Sequence, residues 1–140
     1  MEKNYESLIP NRIFVGGVDG VQHLLENEKI DIIFDLRAEK KDHPAEELSV
    51  HQPIMDDAPH QDASIKKAVD EVTKAYHEGK NVYFHCGTGR GRAGTIAVAT
   101  LMELGLADNV DEAENKVKII RSKINVKPDQ KAALERIYSN

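Results

Sequence analysis

The sequence predicts an α/β fold: a single domain over residues 1–140 with a mostly parallel central sheet flanked by helices. Short apolar runs of strand character recur at 12–16 (RIFVG), 30–36 (IDIIFDL) and 81–85 (NVYFH). Segments with apolar residues at helical spacing alternate with these runs, and helices alone finish the chain. A length of 140 residues suits one domain and is enough to bury roughly two-thirds of the unfolded surface.

The elements follow in order. Gly16 and Gly17 close the first strand, and Val21, Leu24 and Leu25 mark a short helix after it. The second run is a compact buried strand. Segment 39–47 (EKKDHPAEE) is charged and holds a proline, so it reads as a surface loop. Leu48, Val50 and Ile54 lie two or four apart, the strand period, and Pro53 ends that strand or confines it to an edge. Segment 55–63 (MDDAPHQDA) is a polar loop. Ser64 is placed to cap the next helix, whose Ile65, Ala68 or Val69, Val72 and Tyr76 recur at helical spacing and which Gly79 ends. The third run leads through a glycine-rich turn, 86–92, into an apolar helix over 93–105. Ala113, Val117, Ile120 and Ile124 mark an amphipathic helix with Asp111 as its cap, and Pro128 opens a last helix carrying Ala133, Leu134 and Ile137. Four or five strands are expected.

Composition excludes several functions. Hydrophobic residues at 40% and charged residues at 31% are not those of a collagen-like, low-complexity or disordered chain. Lys and Arg total 19 against 24 Asp and Glu, a net charge of −5, which argues against a nucleic-acid partner but leaves room for a small phosphate pocket. No run is long and apolar enough for a membrane span, and neither MEKNYESLIP nor RIYSN reads as a targeting signal. The single cysteine, Cys86, allows no internal disulfide, so a reducing cytoplasm is the expected location, and the chain is read as a monomer.

The chemistry lies in 82–95, VYFHCGTGRGRAGT. Gly89, Gly91 and Gly94 spell the dinucleotide fingerprint between a strand and a helix. That fingerprint needs a further strand ending in an acidic residue, and the following region is helical by pattern. A Walker loop fails because no Lys-Ser or Lys-Thr pair follows the glycines. A structural reading, in which the cysteine is a small buried hydrophobe and the glycines serve a turn, leaves Arg90 and Arg92 unexplained. The arrangement His85-Cys86-x-x-Gly89-x-x-Arg92 instead fits nucleophilic catalysis on a phosphoester. A turn from strand to helix gathers backbone N–H groups into an anion nest, and the start of the helix adds its dipole. Glycines at 87, 89 and 91 allow the tight curl, and the Arg92 guanidinium can grip two phosphate oxygens. The same field favours the thiolate of Cys86, a nucleophile beside bound phosphate.

This segment resembles the active-site loop of the cysteine-dependent protein tyrosine phosphatases, H-C-x-x-G-x-x-R. The wider chain, through RIFVGG, IDIIFDLR, the acidic loop and KPDQKAALERI, is similar to the small dual-specificity branch. The resemblance implies that Cys86 attacks phosphorus to form a phosphocysteine. Arg92 and the backbone of Gly87, Thr88, Gly89, Arg90, Gly91 and Arg92 would hold the phosphoryl oxygens. For His85 two readings stand: a residue organising hydrogen bonds around the thiolate, or a satisfied strand-end histidine. The family also uses a carboxylic acid about thirty residues before the cysteine to protonate the leaving oxygen. Asp56-Asp57-Ala58-Pro59 resembles that loop in the phosphatases of regenerating liver, which implies Asp57 as the acid with Asp56 as the alternative. Asp62 is expected near the cap of the following helix.

Two positions depart from the commoner loops of the family. Ala93 stands where most members have Ser or Thr, which implies a slow second half-reaction and an accumulating phosphocysteine; Thr95 lies a turn too far along to substitute. Arg90 is either a determinant for a more highly charged phosphoester, as in lipid-phosphatase loops, or a surface ion-pair partner. His23, His43, His51, His60 and His77 show no metal-ligand spacing, and no metal or other cofactor is expected. The expected activity is hydrolysis of phosphotyrosine, and of phosphoserine or phosphothreonine as a wider range. The alternatives are a phosphoinositide or small-phosphoester phosphatase, a phosphate-binding interaction module with little turnover, and, more remotely, a rhodanese-type sulfurtransferase.

Overall fold

The computed structural model describes residues 4–38, 47–54 and 61–139. Among these residues five strands form one sheet: β1 (Tyr5–Ile9), β2 (Ile13–Gly17), β3 (Ile32–Arg37), β4 (Ser49–Ile54) and β5 (Val82–Cys86), in the order β1-β2-β5-β3-β4. Only β1 runs antiparallel to its neighbour; the other three pairings are parallel, so the sheet is mixed and mostly parallel, as expected. β5 takes the centre because all five of its residues, VYFHC, bury. β4, which carries Pro53, is an edge strand.

The strand period sorts the core into two layers. Val82, Phe84 and Cys86 face the larger one with Val15, Phe34 and Leu36. That layer is closed by α2 (Gln61–His77), α3 (Arg92–Glu103), α4 (Val110–Ile120) and α5 (Pro128–Ile137) through residues such as Val69, Ile96, Val117 and Leu134. Tyr83 faces the other side with Tyr5, Phe14 and Ile33 under α1 (Val21–Asn27). Each fully buried large side chain here contributes roughly 1.5–3 kcal/mol over an exposed one. The parallel register aligns Gly17 with Cys86 and Asp35 with His85. The carboxyl ends of the three central strands therefore meet at Cys86, the side of such a sheet where ligands bind.

Several local features differ from the sequence expectation. β1 (YESLI) is an additional strand; its mixed polar and apolar pairing along an edge makes no clear run. Ser64 does not cap α2. The helix begins at Gln61, and the Ser64 hydroxyl donates to the Gln61 carbonyl at 2.9 Å from inside the first turn. Asp62 lies in that turn and pairs with Arg136. Asn109, not Asp111, caps α4: its side chain accepts the Glu112 N–H at 2.8 Å, and Asp111 sits in the first turn paired with Lys131. Gly79 ends α2 at φ +89° and Pro128 is at the first position of α5, both as expected. The acidic stretch with Asp56 and Asp57, and most of the charged loop after β3, lie outside the described residues. Among the described residues no helix is long and apolar enough to cross a membrane.

Candidate active site

The turn from β5 to α3 is held from behind at every residue. The Gly87 carbonyl accepts from the Val18 N–H at 3.2 Å. The Thr88 carbonyl accepts from Arg121 Nη2 at 3.2 Å and the Gly89 carbonyl from Arg121 Nε at 2.9 Å. The Arg90 carbonyl accepts from the Asn125 N–H at 3.0 Å, and the Gly91 carbonyl from the Thr95 N–H at 2.8 Å. In a planar trans peptide the C=O and the following N–H point in opposite directions. Five consecutive carbonyls drawn toward the scaffold therefore turn the amides of residues 88–92 the other way. One of them is directly visible: the Gly89 N–H donates to Cys86 Sγ at 3.2 Å.

Gly89 cannot be another residue. Its φ is +76°, and a Cβ there would lie 2.4 Å from the Gly16 carbonyl carbon and 2.6 Å from Arg121 Nη2. The curl thus depends on glycine at the one point where the loop presses against β2 and Arg121.

On the amide side lies a cavity of about 200 Å³ lined by Cys86, Gly87, Thr88, Gly91, Arg92 and Lys127. Cys86 is 3% exposed at the end of β5, and Arg92 begins α3, whose N-terminus opens here. A thiol, a guanidinium, an ammonium and converging N–H groups around one hollow make a site for a tetrahedral oxoanion. The Arg90 side chain goes elsewhere. It is exposed and lines a neighbouring cavity of about 280 Å³ with Asn4, Asp19, Gly87, Thr88 and Lys123.

Ala93 is fully buried behind the loop. Thr95 Oγ1 lies 2.9 Å from the Gly91 carbonyl oxygen and 2.8 Å from Gln130 Oε1, so its single proton is committed to the scaffold. His85 is buried on the opposite face of the sheet from Cys86, with Nδ1 3.2 Å from the Cys86 carbonyl oxygen and its ring 5.6 Å from that of Tyr83. Asp35 sits beside it in the register. Burial opposes the Asp35 charge, but hydrogen bonds from the side chain and backbone of Arg37, with the charges of His85 and Arg37, hold its carboxyl below the ordinary carboxylate value. Among the described residues no group of three or more His, Cys, Asp or Glu is placed to hold a metal ion.

The sequence motif brings Cys86, Gly87, Thr88, Gly91 and Arg92 to one place as a local unit, and its two candidate acids fall outside the described residues. Sequence reasoning misses Arg121, Lys127 and the Asp35–Arg37 pair. Lys127 has a signal, a cation immediately before the helix-opening Pro128. Arg121 has none, since a buried arginine looks in sequence like a solvated one.

Residues 13–140 match the dual specificity phosphatase catalytic domain. The chain belongs to this family. It is a phosphatase of the cysteine-dependent protein tyrosine phosphatase type. No curated protein sequence matches it. Solved structures share the fold at low identity. PTPMT1 in complex with PI(5)P superposes with a TM-score of 0.78 at 20% identity, covering 94% of this chain and 92% of that one. Human DUSP28 gives 0.78 at 17%, covering 97% and 93%. Tk-PTP in its active form gives 0.79 at 20%, covering 98% and 97%. The rhodanese and dinucleotide readings of the loop are thereby set aside.

Proposed function

We propose that this phosphatase hydrolyses phosphotyrosine, with phosphoserine and phosphothreonine as further substrates, through a phosphocysteine. One observation carries the reading: five successive carbonyls are anchored away from the cavity that Cys86 and Arg92 line, leaving the amides to receive phosphoryl oxygens. In the first step the Cys86 thiolate attacks phosphorus. The S–P bond forms, the ester P–O bond breaks, and Asp57 protonates the leaving oxygen, with Asp56 as the alternative acid. The amides of 88–92 and Arg92 balance charge on the equatorial oxygens throughout. In the second step water attacks phosphorus, its proton passes to the carboxylate, and the S–P bond breaks to release inorganic phosphate and thiolate. Ala93 offers no hydroxyl to the departing sulfur and Thr95 is occupied, so the second step is the slower one. His85, on the opposite face of the sheet from Cys86, touches the loop through the Cys86 carbonyl, 3.2 Å from its Nδ1.

The deciding measurement is hydrolysis of an aryl phosphate. Wild-type protein should show a burst of phenol equal to the enzyme concentration, inhibition by vanadate and indifference to EDTA. Cys86→Ser should lose turnover entirely while still binding phosphate. Turnover by Cys86→Ser at more than a thousandth of the wild-type rate would sink the proposal.

A second reading has its own support. Arg90 and Lys123 bring two cations to the cavity that shares the Gly87–Thr88 wall with the first. A phosphoinositide or another ester with a second phosphate could engage both cavities, and the fold neighbour PTPMT1 has been solved with PI(5)P. Comparing a phosphotyrosine peptide with a phosphoinositide at one enzyme concentration separates the two readings.

A further inference from the structure

We infer that Arg121 is the positioning residue of this loop: its guanidinium sets the direction of the two amides at the loop's apex, and the affinity for the transferring phosphoryl group depends on it. The inference rests on the phosphatase reading proposed for Cys86 and Arg92.

Arg121 lies 35 residues after Cys86, just past the end of α4, and is 1% exposed. Its forked donors divide between two sides. Toward the loop, Nε donates to the Gly89 carbonyl at 2.9 Å and Nη2 to the Thr88 carbonyl at 3.2 Å. Away from it, Nη1 pairs with Glu6 Oε1 at 2.6 Å and Nη2 donates to the Asn4 side chain. The N-terminal strand thus anchors the arginine, and the arginine anchors the loop.

The consequence comes from peptide planarity. Fixing the Thr88 carbonyl fixes the Gly89 N–H, which reaches Cys86 Sγ at 3.2 Å. Fixing the Gly89 carbonyl fixes the Arg90 N–H. The other three carbonyls are held by main-chain N–H groups of the residue after β2, α3 and the segment before α5, which the fold supplies whatever the side chains. Among the described residues, these two have only the guanidinium. A glycine at φ +76° sits between the two peptides, where backbone freedom is greatest. Without the fork, either peptide can rotate and present an oxygen to the anion instead of a hydrogen. A lysine supplies the charge but not two coplanar donors in fixed geometry. Glu6 pairs with the cation at 2.6 Å and offsets its field, so Arg121 acts by direction more than by field.

The test uses the full chain. Wild-type protein is measured first for vanadate affinity and for protection of Cys86 from iodoacetamide by inorganic phosphate. Failure of both in the wild type overturns the phosphatase reading itself, separately from any result on the Arg121 variants. In Arg121→Lys and Arg121→Met we expect vanadate binding weaker by about tenfold or more and kcat/KM on an aryl phosphate lower by about 10–100-fold, with Lys no better than threefold over Met. Rates are scaled to the folded, alkylatable Cys86 fraction. A purely structural arginine would lower Tm and that fraction, yet leave the vanadate affinity of the folded molecules unchanged; that result overturns the inference. Should both variants fail to fold, Glu6→Gln with Asn4→Ala loosens the guanidinium from its far side. Vanadate binding weakened about threefold or more supports the inference, and an unchanged value overturns it.

Discussion

Two cavities flank the same short wall, Gly87–Thr88, and they are built to different rules. The one over Cys86 has Arg92 at a helix start and Lys127 at its rim, and no carboxylate among its described lining residues. The one beside it also has two cations, Arg90 and Lys123, but Asp19 shares it, and Asn4 bonds both Asp19 and Lys123. The first arrangement gathers positive charge around the Cys86 thiol, which on the proposed mechanism serves to hold a transferring dianion. The second mixes both signs and is exposed, so it can select among substrates without performing chemistry. Two arginines only two positions apart in sequence thus line different cavities, α3 beginning at one of them and not at the other.

The sharpest way to break this contrast is to remove each arginine in turn. Arg92→Ala should lower kcat/KM on an aryl phosphate by about 10³-fold, the cost of losing a principal oxyanion partner. Arg90→Ala should change it by no more than about threefold, as for an exposed charge. Equal losses in steady-state assays would erase the distinction between the cavities.

The next largest effect concerns the missing acid. On the proposed mechanism an acid protonates the leaving group, and the candidates are Asp57 or Asp56 and the neighbouring cavity's Asp19. Asp57→Ala should cost about 10²-fold with phenyl phosphate and far less with an activated nitrophenyl ester, whose leaving group needs no proton. Asp19→Ala should be nearly silent on both. A leaving-group-dependent loss in Asp56→Ala or Asp19→Ala, in place of Asp57→Ala, would reassign the acid.

A feature of this molecule is legible in the sequence to the extent that it is local. Cys86, its glycines and Arg92 are close together along the chain, so their spacing alone marks the site. The buried strands β3 and β5 are legible because a central strand must be apolar on both faces. β1 is not, because an edge strand can alternate freely and YESLI resembles a loop. Asp35 and Arg37 look like a solvated strand end until the register brings Asp35 beside His85. Arg121 is the limiting case. What makes it important is the pair of carbonyls it meets across the fold, and neither belongs to a side chain that a motif could encode.

The smallest predicted effect separates the two lysines. Half-buried Lys127 lines the Cys86 cavity and exposed Lys123 the other, and a single contact of an ammonium group near the surface is worth about 1 kcal/mol, a factor near five. With a singly phosphorylated aryl ester, Lys127→Ala should raise KM about two- to fivefold and leave kcat almost unchanged, while Lys123→Ala should leave both unchanged. With an ester carrying a second phosphate, the two variants should converge, because the second phosphate now loses its partner in Lys123→Ala. Both losses should fade as salt rises toward molar concentrations, that of exposed Lys123 more than that of half-buried Lys127. If Lys123→Ala stays silent with the doubly phosphorylated ester at low salt, the second cavity is not a substrate subsite, and the phosphotyrosine reading is left without its competitor.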